Sequence, residues 1–153
     1  MQSKFKTGIL AGLLGGVVFG MMMTMMSGPD GKPMMAMVAR VVQADSLVVG
    51  WVYHLFNSAV IGALFGFLFG NRVGSYGSGL LWGILWGVVW WILGGLILMP
   101  LFLGMPIFAP LMMEPMRMMA IMSLVGHMIF GAILGLAFFA LAGKMPATAA
   151  AAN

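Results

Sequence analysis

Cysteine is absent from this 153-residue chain, and acidic side chains number only three. Without cysteine there are no disulfides, no thiolate metal sites, no iron–sulfur ligation and no cysteine nucleophile. Three acids against seven Lys and Arg are too few charges to build a nucleic-acid-binding surface. A soluble protein of this length needs a polar exterior, and a chain that is 63% hydrophobic cannot supply one. Lipid as the solvent removes that requirement, so the composition points to an all-α integral membrane protein.

Four apolar runs are long enough to cross a hydrocarbon core of roughly 30 Å at about 1.5 Å per residue. They fall near Thr7–Met26, Leu47–Phe69, Gly79–Met99 and Met118–Leu141. Together they predict one transmembrane domain over 1–153, with linkers at 27–46 and 100–117 and a frayed tail at 144–153. Lys4 and Lys6 before the first run resemble the start of a signal peptide. That run is too long for one, however, and no small-residue cleavage site follows it, so a retained span is expected. Lys4, Lys6, Arg72 and Lys144 fall on one side. Lys32, Arg40 and Arg117 fall on the other, together with Asp30, Asp45 and Glu114. The Lys/Arg excess places both termini in the cytoplasm.

Each run carries small residues at four-residue spacing: Gly8, Gly12, Gly16, Gly20 and Thr24; Gly50, His54, Ser58, Gly62, Gly66 and Gly70; Gly79, Gly83, Gly87 and, after Trp91, Gly95; Ser123, His127, Gly131 and Gly135. That spacing keeps residues on one helical face, where small side chains let helix backbones approach in lipid. The order of the matches suggests duplication. Thr7–Val18 aligns with Ser78–Val89, and His54, Ala59, Gly62 and Phe65 align with His127, Ala132, Gly135 and Phe138. The expected architecture is a four-helix membrane bundle of two tandem two-span repeats, 1–71 and 72–143, held by glycine-ladder packing. In an up-down-up-down bundle the second and fourth spans lie diagonally across the centre, so both histidines can face one site. Between the spans, Pro33–Gln43 reads as a short interfacial helix. Pro100–Pro115 is broken by four prolines and is expected to fold back over the bundle or to dock on a partner.

The two histidines are the candidate chemical residues, because an ionisable side chain within a span is costly to leave unpaired. One reading has them bonding across helices as neutral rings. A second makes them axial ligands of a b-type haem, with Asn57, Ser58 and Ser123 as supporting polar groups and Gly62, Gly66, Gly131 and Gly135 leaving space for the ring. A third is a copper site in which His54 and His127 are joined by thioethers such as Met25 and Met122, drawn from the 19 methionines. Methionine is also a flexible filler of apolar gaps. Trp82, Trp86 and Trp90 form an aromatic stripe present in one copy only, which suits either lipid or a partner subunit or second protomer.

Signatures of catalysis are missing: there is no transmembrane carboxylate, no phosphate loop and no His-Glu-x-x-His. A coupled transporter would be expected to show an acid or a broken helix at the midplane, and the chain offers no ring of polar residues for a selective pore. The pattern Tyr53-His54-x-x-x-Ser58-x-x-x-Gly62, with its copy His127-x-x-x-Gly131-x-x-x-Gly135, resembles helices of small multi-pass proteins of prokaryotes that have no assigned activity. The resemblance covers the second and fourth spans and implies a prokaryotic inner membrane. The expected role is a non-enzymatic accessory or structural subunit of a membrane assembly. Haem or metal binding with electron transfer is the alternative, and a small channel or transporter ranks third.

Overall fold

The computed structural model of the protein describes residues 2–28 and 30–142; Lys144 and the tail at 144–153 lie outside them. Among the described residues the chain is helical, and four helices are long and apolar enough to cross a membrane. α1 spans Gln2–Met25, α2 Met34–Val41, α3 Leu47–Phe69 and α4 Tyr76–Trp90. A π-helical segment, Trp91–Leu98, carries α4 onward into α5, Met99–Phe102, so the third span is continuous over Tyr76–Phe102. The short α6 (Ala109–Met112) precedes α7, Glu114–Ala142.

Local chemistry sets several of these boundaries. Ser75 caps α4: its Oγ accepts from Ser78 N–H at 3.1 Å, and Ser78 Oγ accepts from Ser75 N–H at 3.0 Å. The fourth span begins at Glu114, earlier than the expected Met118, because Pro115 falls in its first turn, where a missing N–H costs nothing. Pro33 immediately precedes α2, as its fixed φ favours.

The third span is continuous but not uniformly α-helical. Wide turns of the π kind are rare and often mark functional places. Here the Gly94-Gly95 pair lies inside the segment, and the Leu96 carbonyl accepts the Phe108 N–H at 2.8 Å from the returning linker. Trp91 Nε1–H donates across to the Ala120 carbonyl of α7 at 3.0 Å. Phe108 sits at φ 61°, a left-handed conformation that a bulky side chain rarely adopts, so the loop is held there by its surroundings.

α1 packs along α3, α4 along α7, and α1 along α7, whereas α3 and α4 meet only sparsely. In the first pair Gly8 lies against the Gly62 carbonyl, and Gly12 against Ser58 and Gly62. In the second, Gly79 lies against Gly135 and Gly83 against Gly131. A Cβ at any of these glycines would strike backbone, so the helices touch main chain to main chain. The α3–α4 seam is filled by side chains instead. Trp82 stacks on Phe69 at 4.9 Å, and Trp86 Nε1–H donates to the Ile61 carbonyl at 3.2 Å. The tryptophan stripe therefore turns partly inward onto α3, since those two backbones are too far apart to close the gap themselves.

α2 lies over α3, with Met35 and Ala39 fully buried and the Met35 backbone against Gly50. Arg40 fastens its turn through Asp30 at 2.7 Å and Asp45 at 3.6 Å. At the opposite end Lys4 Nζ donates to Asn71 Oδ1, and the Arg72 guanidinium lies 5.3 Å from the centre of the Trp82 ring.

Candidate functional site

The sparse α3–α4 seam, the π-helical segment and the two folded-back linkers enclose a chamber of about 240 Å³. It lies at the end of the bundle that carries α2, α5 and α6. His54 and His127 both line it, as do Asn57, Ser58 and Ser123. Its remaining wall is mostly apolar, with Phe19 of α1 and Phe130 of α7 at the back, and Met34, Val38 and Val41 of α2 above.

The imidazoles are prepared in different ways. His54, buried at 8% exposure, donates its Nε2–H to the Gly16 carbonyl of α1 at 2.8 Å, an interhelix bond. His127 donates its Nδ1–H to the Ser123 carbonyl one turn back in its own helix, also at 2.8 Å, with Ser123 Oγ 3.3 Å from the same nitrogen. As neutral rings they keep lone pairs on His54 Nδ1 and His127 Nε2. A carbonyl fixing one ring nitrogen while the other stays free is the usual arrangement of an imidazole that accepts a hydrogen bond or ligates a metal.

Phe19 occupies the space beside both rings. Its centroid is 5.7 Å from that of His54 and 4.8 Å from that of His127, edge-on in each case. Trp51 also packs edge-on against His54, at 6.2 Å. Gly126 backs directly onto the Phe19 ring, which leaves the phenyl little room to withdraw.

A haem does not fit these residues. Gly62 and Gly66 lie against the backbones of Gly8 and Lys4, and Gly131 and Gly135 against those of Gly83 and Gly79. The space proposed for the macrocycle is thus occupied by neighbouring helices. The chamber is also smaller than the roughly 300–1,000 Å³ typical of pockets for drug-sized ligands, and a porphyrin is no smaller than such a ligand. Ser58 turns its hydroxyl to the His54 carbonyl at 2.8 Å, not to the imidazole, so only Ser123 supports a ring directly.

The copper set changes as well. Met25 is 85% exposed and Met122 44%, and neither lines the chamber. The methionines that do include Met23, Met34, Met37, Met99, Met116 and Met119. Met25 and Met122 miss because each lies on the outward face of its helix, a fact that proximity in sequence to the Met clusters does not reveal. Among the described residues no group of three or more His, Cys, Asp or Glu side chains could hold a metal.

Three participants went unrecognised in the sequence. Phe19 is one apolar residue among many, and nothing marks it. Trp90 lines the chamber, although its residue type suggested lipid or a partner. The Gly94-Gly95 wall left one visible trace, the interruption of the third glycine ladder at Trp91. No protein-family model, curated protein or solved structure matches this chain.

Proposed function

We propose that this chain is a non-enzymatic accessory protein of a prokaryotic inner membrane, whose chamber holds a small lipophilic molecule. The observation that carries this reading is the convergence of both intramembrane histidines on one apolar cavity, each with a ring nitrogen left over. A mostly apolar pocket with a few polar groups is the general form of a small-molecule site. The basic residues Lys4, Lys6 and Arg72 at the end opposite the chamber support cytoplasmic termini. Matched contacts in the two hairpins, Gly8–Gly62 with Gly79–Gly135 and Gly12–Ser58 with Gly83–Gly131, support their origin by duplication and glycine-ladder packing. Trp82, Trp86 and Trp90 keep part of their surface exposed and remain the proposed face for a partner subunit or second protomer.

The test is native mass spectrometry of the protein released from its own membranes. A small-molecule adduct is expected on the wild type and absent from Gly95→Phe. A Cβ at Gly95 meets only side chains, those of Trp91, His127 and Ser123 at 3.6, 3.8 and 4.0 Å, all of which line the chamber, so the added ring would enter it. An adduct that persists unchanged in Gly95→Phe places the ligand elsewhere and overturns the assignment.

A soft metal is the second reading, favoured by the thioethers that share the chamber wall with both imidazoles, a donor set suited to Cu(I). Ag(I) titration with X-ray absorption would show mixed sulfur and nitrogen scattering if it holds, and oxygen-only scattering if it does not.

A further inference from the structure

The residues that line the chamber include hydrogen-bonding side chains of both kinds, and the mixture narrows the occupant. Trp90 Nε1–H is buried without a partner, the one such side-chain atom found among the described residues. A buried donor left alone is unfavourable, and native proteins satisfy nearly all of them with protein, water or ligand. Opposite in character are the acceptors, His54 Nδ1 and His127 Nε2, freed because the other nitrogen of each ring donates to a carbonyl. Asn57 adds an amide able to act in either sense.

Candidate occupants meet this set unequally. A bare metal ion would use the imidazole lone pairs but leave the indole N–H unpaired. A ketone, ester or ether would accept from the indole but leave the imidazoles without a donor. A hydroxyl both accepts and donates, and so answers Trp90 and an imidazole together. The methionines and Phe130 provide an adaptable apolar surface for whatever body carries that hydroxyl.

The route of entry is also visible. Trp82 and Trp86 close the α3–α4 seam below, but beside the π-helical segment the seam holds Val60, which is 41% exposed on the face where lipid would lie, and the half-buried Gly94 and Leu98. We infer that the chamber binds a membrane-dissolved alcohol or phenol, its hydroxyl accepting from Trp90 and donating to a chamber imidazole, its apolar body leaving between α3 and the π-helical segment. This rests on the ligand-binding reading above and names the ligand class.

The experiment uses full-length protein in phosphatidylcholine nanodiscs with ¹⁵N-labelled tryptophan. The Trp90 indole resonance is assigned by its loss in Trp90→Phe. Three probes matched in shape are titrated: 4-hexylphenol, 4-hexylanisole and hexylbenzene. A saturable downfield shift of the Trp90 N–H is expected with 4-hexylphenol, at concentrations at least about tenfold lower than for the other two. His127→Ala with His54→Ala should abolish that preference, whereas His127→Gln, which retains an acceptor, should keep part of it. Equal responses to all three probes would mean simple partitioning and would overturn the hydroxyl assignment. So would a Trp90 resonance that no probe moves and that exchanges with water throughout, which would make water the partner. If Gly95→Phe still removes the native adduct while 4-hexylphenol has no effect, the chamber binds a ligand of another class. If both experiments fail, the binding reading itself falls.

Discussion

The two hairpins are built alike at the end carrying the N-terminus of α1 and differently at the end carrying the linkers. Near the former, glycine meets glycine in both pairs, with main chain against main chain. Near the latter, α1 continues with Gly20 against Trp51 and the His54 ring, whereas α4 places Trp91 at the next four-residue step and opens into a π-helical segment. Gly8 and Gly79 are 71 positions apart, whereas His54 and His127 are 73 apart. The π-helical segment lies in that interval, where a wider turn takes up extra residues without breaking the span. The bundle is tight along the α1–α3, α4–α7 and α1–α7 seams and hollow along the α3–α4 seam.

The largest effect is expected where the two hairpins are alike. Gly12→Leu and Gly83→Leu should each destabilise the fold by about 1–3 kcal/mol or more, since the added atoms meet backbone that cannot step aside. Gly74→Leu, where nothing lies within 4 Å of an added Cβ, should be much milder. Denaturant unfolding in detergent micelles, followed by circular dichroism, would rank them. A Gly83 variant as stable as the Gly74 control would show that α4 and α7 do not touch main chain to main chain.

Next comes the part that differs. Deleting Gly94 should narrow the π-helical segment, shrink the chamber and disturb the Trp91–Ala120 and Phe108–Leu96 hydrogen bonds. Faster hydrogen–deuterium exchange at the Trp91 indole and the Phe108 amide would register this. Unchanged exchange at both would mean that the wide turn is not what anchors them.

A smaller effect separates the histidines. His54 bonds between helices and His127 within one, so His54→Ala should cost more stability. The loss for an interhelix bond in a membrane is about 0.6 kcal/mol on average and at most about 1.7 kcal/mol. The reverse order, measured by steric trapping, would contradict the asymmetry of the two rings.

The smallest effect lies outside the spans, in the turn before α2. The hydrogen bond from Arg40, aided by the backbone N–H of Lys32, holds the Asp30 carboxyl below its ordinary value of 3.8. A lowered carboxyl pKa means that the ion pair supports the turn at neutral pH and that this support fades as the pH falls below about 3.8. Both groups face water, so the change should be confined to local amide exchange around Lys32 and Gly31. Asp30→Asn should remove the pH response and leave the chamber intact.

Length and hydropathy made the four spans legible, and the prolines of 100–115 announced a linker unable to form one helix. Four-residue spacing located the contact faces because, in lipid, small residues mark where backbones meet. The same rule misled at Gly62, Gly66, Gly131 and Gly135. A small residue states that space exists beside it, not what fills that space, and here the filler is another helix. Methionine was equally ambiguous: Met25 and Met23 are two residues apart in sequence, yet one faces outward and the other lines the chamber.

Composition and periodicity were enough to establish a helical membrane protein with two notable histidines, because both depend on single residues and their neighbours along one helix. The chamber did not follow from them. It depends on how far apart α3 and α4 stand, on Phe19 packing against both imidazoles, and on two linkers returning over the bundle. Those are relations between elements distant in the chain, and only their mutual packing sets them.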